Sequence, residues 1–153
     1  MIHSIGPYQE EHHQQLVDIW FRAVKLTHTF LNERDIQFYH NIVQNGALKE
    51  VEVWVYFNAN ENPIGFIGLE GAKVEMLFVD PNYHGQGVGT SLLQYAETIK
   101  GSHLEVDVNE QNEAAHKFYK RYGFVQEGRS ELDSAGRPFP LLHLTLKSKN
   151  EGL

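Results

Sequence analysis

Cysteine is absent from this chain. Disulfides, thiolate nucleophiles and cysteine-held metals are thereby excluded. Long apolar runs are missing too: none reaches the roughly 18 residues that a membrane-crossing helix needs. The opening residues, Met-Ile-His-Ser-Ile-Gly-Pro, carry neither a basic region nor an apolar core, so no secretory signal is expected and a cytoplasmic protein is. Cations are scarce relative to anions. With 13 Lys and Arg against 20 Asp and Glu, the formal charge is −7. Nucleic acid is held by neutralising its phosphates, so it is not an expected partner, and no membrane is either. The same field favours a cationic partner such as an amine. Nine histidines invite a metal reading. No His-Glu-x-x-His is present, however, and His12 and His13 point different ways on a helix, so no metal is expected.

The chain is long enough for one domain, over residues 1–148, with 149–153 as a frayed tail. The 41% hydrophobic and 12% aromatic shares suffice for a packed core. Periodicity then divides the chain. Residues 2–5 read as a short strand. Leu16, Ile19, Trp20, Ala23, Val24 and Thr27 recur at helical spacing over 9–27. Asn32 can cap a second helix with the stripe Ile36, Tyr39, Ile42 and Val43, and Gly46 can end it. The period changes to two at Val51, Val53, Val55 and Phe57, and strands follow over 64–69 and 73–79. Trp54 and Tyr56 alternate with that set and read as packing. Val88, Leu92, Ala96 and Ile99 mark a helix running to about Lys100. A strand is expected over 103–108, a helix over 110–122 capped by Asn109, and a hairpin turning at Asp133-Ser134-Ala135-Gly136. Pro138 and Pro140 suggest an irregular start to its second strand.

The most informative stretch is His84-Gly85-Gln86-Gly87-Val88-Gly89, between a strand and a helix. That arrangement aims unpaired backbone N–H groups at an anion, with the helix dipole in support. A P-loop needs a lysine after the last glycine; here Thr90-Ser91 follow Gly89. A dinucleotide fingerprint needs a third glycine at i+5, where Thr90 or Leu92 stands instead. Glu105 and Asp107 do lie about 20 residues on, where a ribose-binding acid belongs, but the fingerprint fails without that glycine.

The stretch resembles the acyl-CoA signature of the GNAT superfamily of N-acetyltransferases: Arg or Gln, two residues, Gly, one residue, Gly or Ala. Gly87 and Gly89 fit, and His84 stands where the family has Arg or Gln. The segment from Asn112 to Phe124 resembles a second block of the family, in the expected order and spacing. Thr27-His28-Thr29-Phe30-Leu31 and Arg137-Pro138-Phe139-Pro140-Leu141-Leu142 are similar to its YjaB-like bacterial branch, whose acceptor the resemblance leaves open. The implied fold is α/β: a mixed, mostly antiparallel twisted sheet of about seven strands with about four helices and splayed central strands. The implied activity is acetyl-CoA-dependent transfer to a primary amine by direct attack in a ternary complex, in a monomer or homodimer. A non-catalytic acyl-CoA sensor or interaction module is the rival reading.

The resemblance also implies roles. The pantetheine arm would lie along Leu77, Phe78 and Val79 like an added strand. The pyrophosphate would meet His84, Gly85, Gln86, Gly87, Val88, Gly89 and Thr90. Asn112 would contact the cofactor, and Tyr119 would protonate the departing thiolate. From spacing alone, Asn112 and Tyr119 share a helix face across Ala115. On that spacing alone Tyr119 reads first as a core tyrosine, while Asn112 reads equally as a helix-start residue. Glu75, two residues before Leu77 and expected on its face, is the first candidate base; a surface charge or an ion-pair partner is the alternative. Glu105, Asp107 and Asn109 line one face of the next strand and can serve instead. His28, Thr27 and Phe30 fall where similar proteins border the acceptor, or form a buried cap.

Overall fold

A computed structural model describes residues 4–147. The elements are β1 (Ser4–Pro7), α1 (His13–Thr27), α2 (Glu33–Gln44), β2 (Glu52–Phe57), β3 (Pro63–Glu70) and β4 (Lys73–Val79). Then come α3 (Val88–Lys100), β5 (Glu105–Asn109), α4 (Glu113–Tyr122), β6 (Phe124–Ser130) and β7 (Leu141–Leu146). They form one seven-stranded sheet in the order β1-β2-β3-β4-β5-β7-β6. Every neighbouring pair is antiparallel except β4 and β5, which run parallel.

Each face of the sheet carries its own core. On one face, Leu16, Ile19, Trp20 and Val24 of α1 pack with Val43 of α2 against Val53, Val55 and Phe66. On the other, Val88, Leu92, Leu93 and Ala96 of α3 and Tyr119 of α4 pack against Ile67, Leu69, Val106, Val108 and Leu144. β3 is buried from Pro63 to Leu69, as a strand covered on both sides must be. Gly65 lets α3 sit close to it: a Cβ there would meet Val88 Cγ1 at 2.9 Å and the Phe78 carbonyl at 3.2 Å.

Several boundaries differ from those expected. The first strand is Ser4–Pro7 rather than 2–5, and residues 2 and 3 and the tail 149–153 lie outside the described residues. α1 is preceded by a 3₁₀ turn at Glu10–His12. Ile42 and Ile99 are exposed, and Leu93 rather than Ile99 completes the α3 stripe. The 103–108 strand starts later, at Glu105. α4 is capped by Asn112, not Asn109: the Asn112 side chain accepts from Ala115 N at 3.1 Å, so the helix begins one turn later. Asn32 does cap α2, in a reciprocal box with Asp35. Gly123 ends α4, and β7 starts only after Pro140.

Candidate active site

The parallel pair β4 and β5 is in register only at Lys73–Glu105 and Val74–Val106. Beyond that point β5 diverges, and the edge of β4 has no strand beside it. Its other edge stays on β3. Asp80 N donates to Ile64 O at 2.8 Å, and the register continues as Phe78–Phe66 and Met76–Gly68. Antiparallel ladders alternate bonded and non-bonded residues. Asp80, Phe78 and Met76 therefore point their amides at β3, and Leu77 and Val79 point theirs into the opening. A cleft of about 600 Å³ fills that opening, within the size range of small-molecule sites.

A bulge in β4 sets which side chains face which way. The partners run Gly68–Met76 and then Leu69–Val74, leaving Glu75 as the extra residue. The extra residue shifts the alternation. Val74, Leu77 and Val79 pack in the α3/α4 core, and Met76 and Phe78 in the α1/α2 core. Glu75 and Leu77 were expected on one face by simple parity. The bulge breaks that parity, and the Glu75 carboxylate stands 3.8 Å from Lys73 Nζ. Lys73 in turn reaches Asp107 Oδ2 at 2.8 Å. Asp107 projects from the face of β5 opposite the buried Val106 and Val108.

The glycine loop closes the cleft at its other side. Gly85 and Gly87 hold φ of +78° and +81°, a region that side chains rarely adopt. Gly87 begins α3 without any side-chain cap, so the first-turn amides are left for an anion. Gly89 has a different reason. A Cβ there would meet Phe118 Cζ at 3.2 Å, so Gly89 lets α4 pack on α3. His84 Nε2 lies 3.0 Å from the Val79 carbonyl and ties the loop back to β4. Behind the loop, buried Asp80 pairs with Arg22 of α1 at 2.8 Å and caps the turn through Asn82 N at 3.0 Å.

Tyr119 is buried among Phe118 and Phe124, and its phenol is pushed upward by burial. Its hydroxyl has no protein hydrogen-bond partner among the described residues. Asn112 lines the cleft while it caps α4, with Ala115 beside it. His28 ends α1. Its Nδ1 lies 2.9 Å from Thr27 Oγ1, whose single hydrogen goes to the Ala23 carbonyl at 2.8 Å. Nδ1 therefore carries the proton and Nε2 is the acceptor. Burial pushes this imidazole down to about 4, so it is neutral at ordinary pH.

Of the residues proposed from sequence, Gln86, Phe30 and Glu105 stand apart from the lining. Gln86 is exposed. Phe30 packs on His28 and on Phe139, with centroids 5.3 and 5.8 Å apart. The two segments singled out around His28 and Phe139 thus meet in space, although more than a hundred positions separate them in sequence. The pairing of Lys73, Asp107, His143 and Ser130 had no local signal. Asp107 faces His143 across β5 and β7, Oδ1 to Nδ1 at 2.6 Å, and His143 Nε2 lies 2.6 Å from Ser130 Oγ. Among the described residues no group of three potential ligands is placed to hold a metal ion, and no helix is long and apolar enough to cross a membrane.

A splayed parallel pair with inward amides, above a glycine loop that opens a helix, is the cleft of an acyl-CoA-dependent transferase. The acetyltransferase (GNAT) domain family matches residues 49–126. The chain is 41% identical over 144 residues to the peptidyl-lysine N-acetyltransferase YjaB of Escherichia coli K12, covering 94% of this chain and 97% of that protein. The solution structure of apo YjaB superposes with a TM-score of 0.88, over 95% of this chain and 97% of that one. The PaiA N-acetyltransferase of Thermoplasma acidophilum, in complex with coenzyme A, shares the fold at 22% identity, with a TM-score of 0.78 over 97% and 100% of the two chains. The chain belongs to the GNAT acetyltransferase family, in its YjaB-like branch. It is an N-acetyltransferase, with acetyl-CoA as cosubstrate.

Proposed function

We propose that this enzyme acetylates the side-chain amine of lysine in a peptide or protein, by direct attack in a ternary complex in the cytoplasm. One observation carries the reading: the gap between β4 and β5 opens to both faces of the sheet. Tyr119 belongs to the α3/α4 face and the Glu75–Asp107 acids to the other. Donor and acceptor therefore approach from opposite sides and meet at Leu77–Val79. The name of the YjaB relative supports a peptidyl-lysine acceptor. The acidic acceptor side and the overall charge of −7 agree with a cationic substrate.

In this reading the thioester lies along β4 as an added strand, and the Leu77 or Val79 amide polarises its carbonyl. The glycine loop and the first turn of α3 hold the pyrophosphate. The amine nitrogen attacks the carbonyl carbon, the C–S bond breaks, and Tyr119 donates its proton to the sulfur. Glu75 takes the proton from the amine, directly or through water. Asp107 is a weaker candidate, because both of its oxygens are engaged, by Lys73 and by His143. Those partners hold its carboxyl below the ordinary value against the desolvation that raises it. His28 Nε2 is a further acceptor on this side, for an N–H of the substrate.

A thiol-release assay with acetyl-CoA tests the acceptor class. Peptides with one internal lysine and a blocked N-terminus are expected to turn over faster than free lysine, a polyamine or an N-terminal amine. Faster turnover of any of the latter would replace the peptidyl-lysine reading. Binding of acetyl-CoA without release on any amine would favour a sensor.

A further inference from the structure

A cation already stands among the acceptor-side acids. Lys73 precedes the bulge, and its Nζ lies 2.8 Å from Asp107 Oδ2 and 3.8 Å from Glu75 Oε1. Both carboxylates line the cleft. A second ammonium arriving at Glu75 would thus settle beside a resident one. The other titratable groups around Lys73 are Glu105 beside it on β5, Glu70 opposite it on β3, and His143 behind Asp107. His28, at the end of α1, lines the same cleft as a neutral imidazole. The hydrogen bond to Asp107 favours the charged form of Lys73 and raises its pKa above the ordinary lysine value. It therefore stays charged across the range in which an incoming alkylamine titrates.

We propose that Lys73 tunes the reactivity of the acceptor amine: it weakens the hold on a protonated amine and lowers the pH at which that amine becomes the neutral nucleophile. The inference rests on the reading of Glu75 and Asp107 as the acceptor-side carboxylates. Like charge disfavours the charged form of a neighbour, and an adjacent cation is one established way to activate an amine. An alkylamine of pKa near 10.4 is almost wholly protonated at neutral pH. Placing Lys73 at the acid pair gives up some affinity for the ammonium and raises the reactive fraction.

The test is a pH–rate series with a lysine peptide on Lys73→Met. The acceptor KM should fall about fivefold, and the acid limb of kcat should move up by roughly 0.7 pH units, as for one charge about 4 Å away in a water-like medium. Lys73→Arg should keep the limb in its wild-type position. Lys73→Gln gives the same readout if methionine unsettles the bulge. Lys100→Met is the control for net charge, since it removes a surface cation paired with Glu52 at 2.7 Å. A Lys73→Met enzyme with lowered Tm but unmoved KM and limb would make Lys73 a structural ion pair and overturn the proposal. A raised KM would do the same. The paired variant Glu75→Gln/Asp107→Asn separates the two levels of the argument. If that variant leaves KM and the pH profile unchanged, the acceptor-side reading itself is wrong. If it moves them and Lys73→Met does not, only the role of Lys73 is lost.

Discussion

Tyr119 and Glu75 illustrate how far one side chain can be read. The Tyr119 hydroxyl lines the cleft yet bonds to no described protein group. A purely structural tyrosine would usually satisfy its hydroxyl. Tyr119→Phe should accordingly change stability by only about 0.5 kcal/mol, less than a typical lost hydrogen bond. If the hydroxyl protonates the thiolate, kcat should fall roughly 100-fold or more while acetyl-CoA still binds. Burial holds the phenol protonated, which suits a donor. A thiol of pKa about 8.5 leaves unaided in alkali, so the deficit should narrow as pH rises. A pH–rate series with thermal shift on the same protein checks all three expectations, and wild-type kcat at neutral pH would remove Tyr119 from the role. Glu75 differs because its place depends on the bulge. Its residue type was legible, but the face it occupies was not.

The elements that frame the site are held by contacts far apart in sequence. The β6–β7 connection is pinned to α2 by Arg137, whose Nη2 lies 2.9 Å from Asp35 Oδ1 and whose guanidinium sits 4.2 Å from the Phe38 ring centroid. Tyr39 donates to Asp133 in the same connection. This brings Phe139 onto Phe30, which packs on the cleft residue His28, so the connection forms an outer wall behind the lining. Asp35 also closes the α2 capping box, so two jobs meet in one carboxylate. Asn32→Ala should lower stability by about 1 kcal/mol through the lost cap and leave the acceptor KM alone. Arg137→Met should lower stability less but raise the acceptor KM, because the wall is released while α2 stays folded. Chemical denaturation beside steady-state kinetics distinguishes the two. Equal effects of both variants on KM would deny the wall any part in acceptor binding.

At the scale of the whole molecule, one parallel contact in an otherwise antiparallel sheet makes the site. Parallel neighbours need a crossover between them, and here α3 supplies it. The glycine loop that opens the crossover helix consequently lies at the carboxyl end of β4, next to the splayed edge. A negative molecule then attracts an anionic cosubstrate through that local array of amides, against its overall field. Acetyl-CoA at 100 times its Kd should stabilise the fold by about 2.7 kcal/mol, raising Tm by roughly 5–10 °C. ATP and NAD should leave Tm unchanged. Gly87→Val should fold less stably, because the position holds a φ of +81°, and should lose the acetyl-CoA shift. A folded Gly87→Val protein with a normal shift would move the cosubstrate away from the loop.

Periodicity and punctuation in the chain were enough to determine the order of its elements. They also determined the glycine loop, the cap at Asn32, and the apolar faces of α1 and β2, because each of these depends on neighbours within a few residues. The GNAT blocks carried the cleft and Tyr119. Tertiary structure alone decided what depends on pairing between distant strands. The bulge that turns Glu75, the register that sets Asp107 against His143, and the ion pairs Arg22–Asp80 and Arg137–Asp35 join residues 36, 58 and 102 positions apart at the last three contacts. No local period encodes such contacts. Strand register has a period of two, so one extra residue reverses every side chain beyond it. Whether that residue is paired or bulged is settled only when both strands are packed between their two cores.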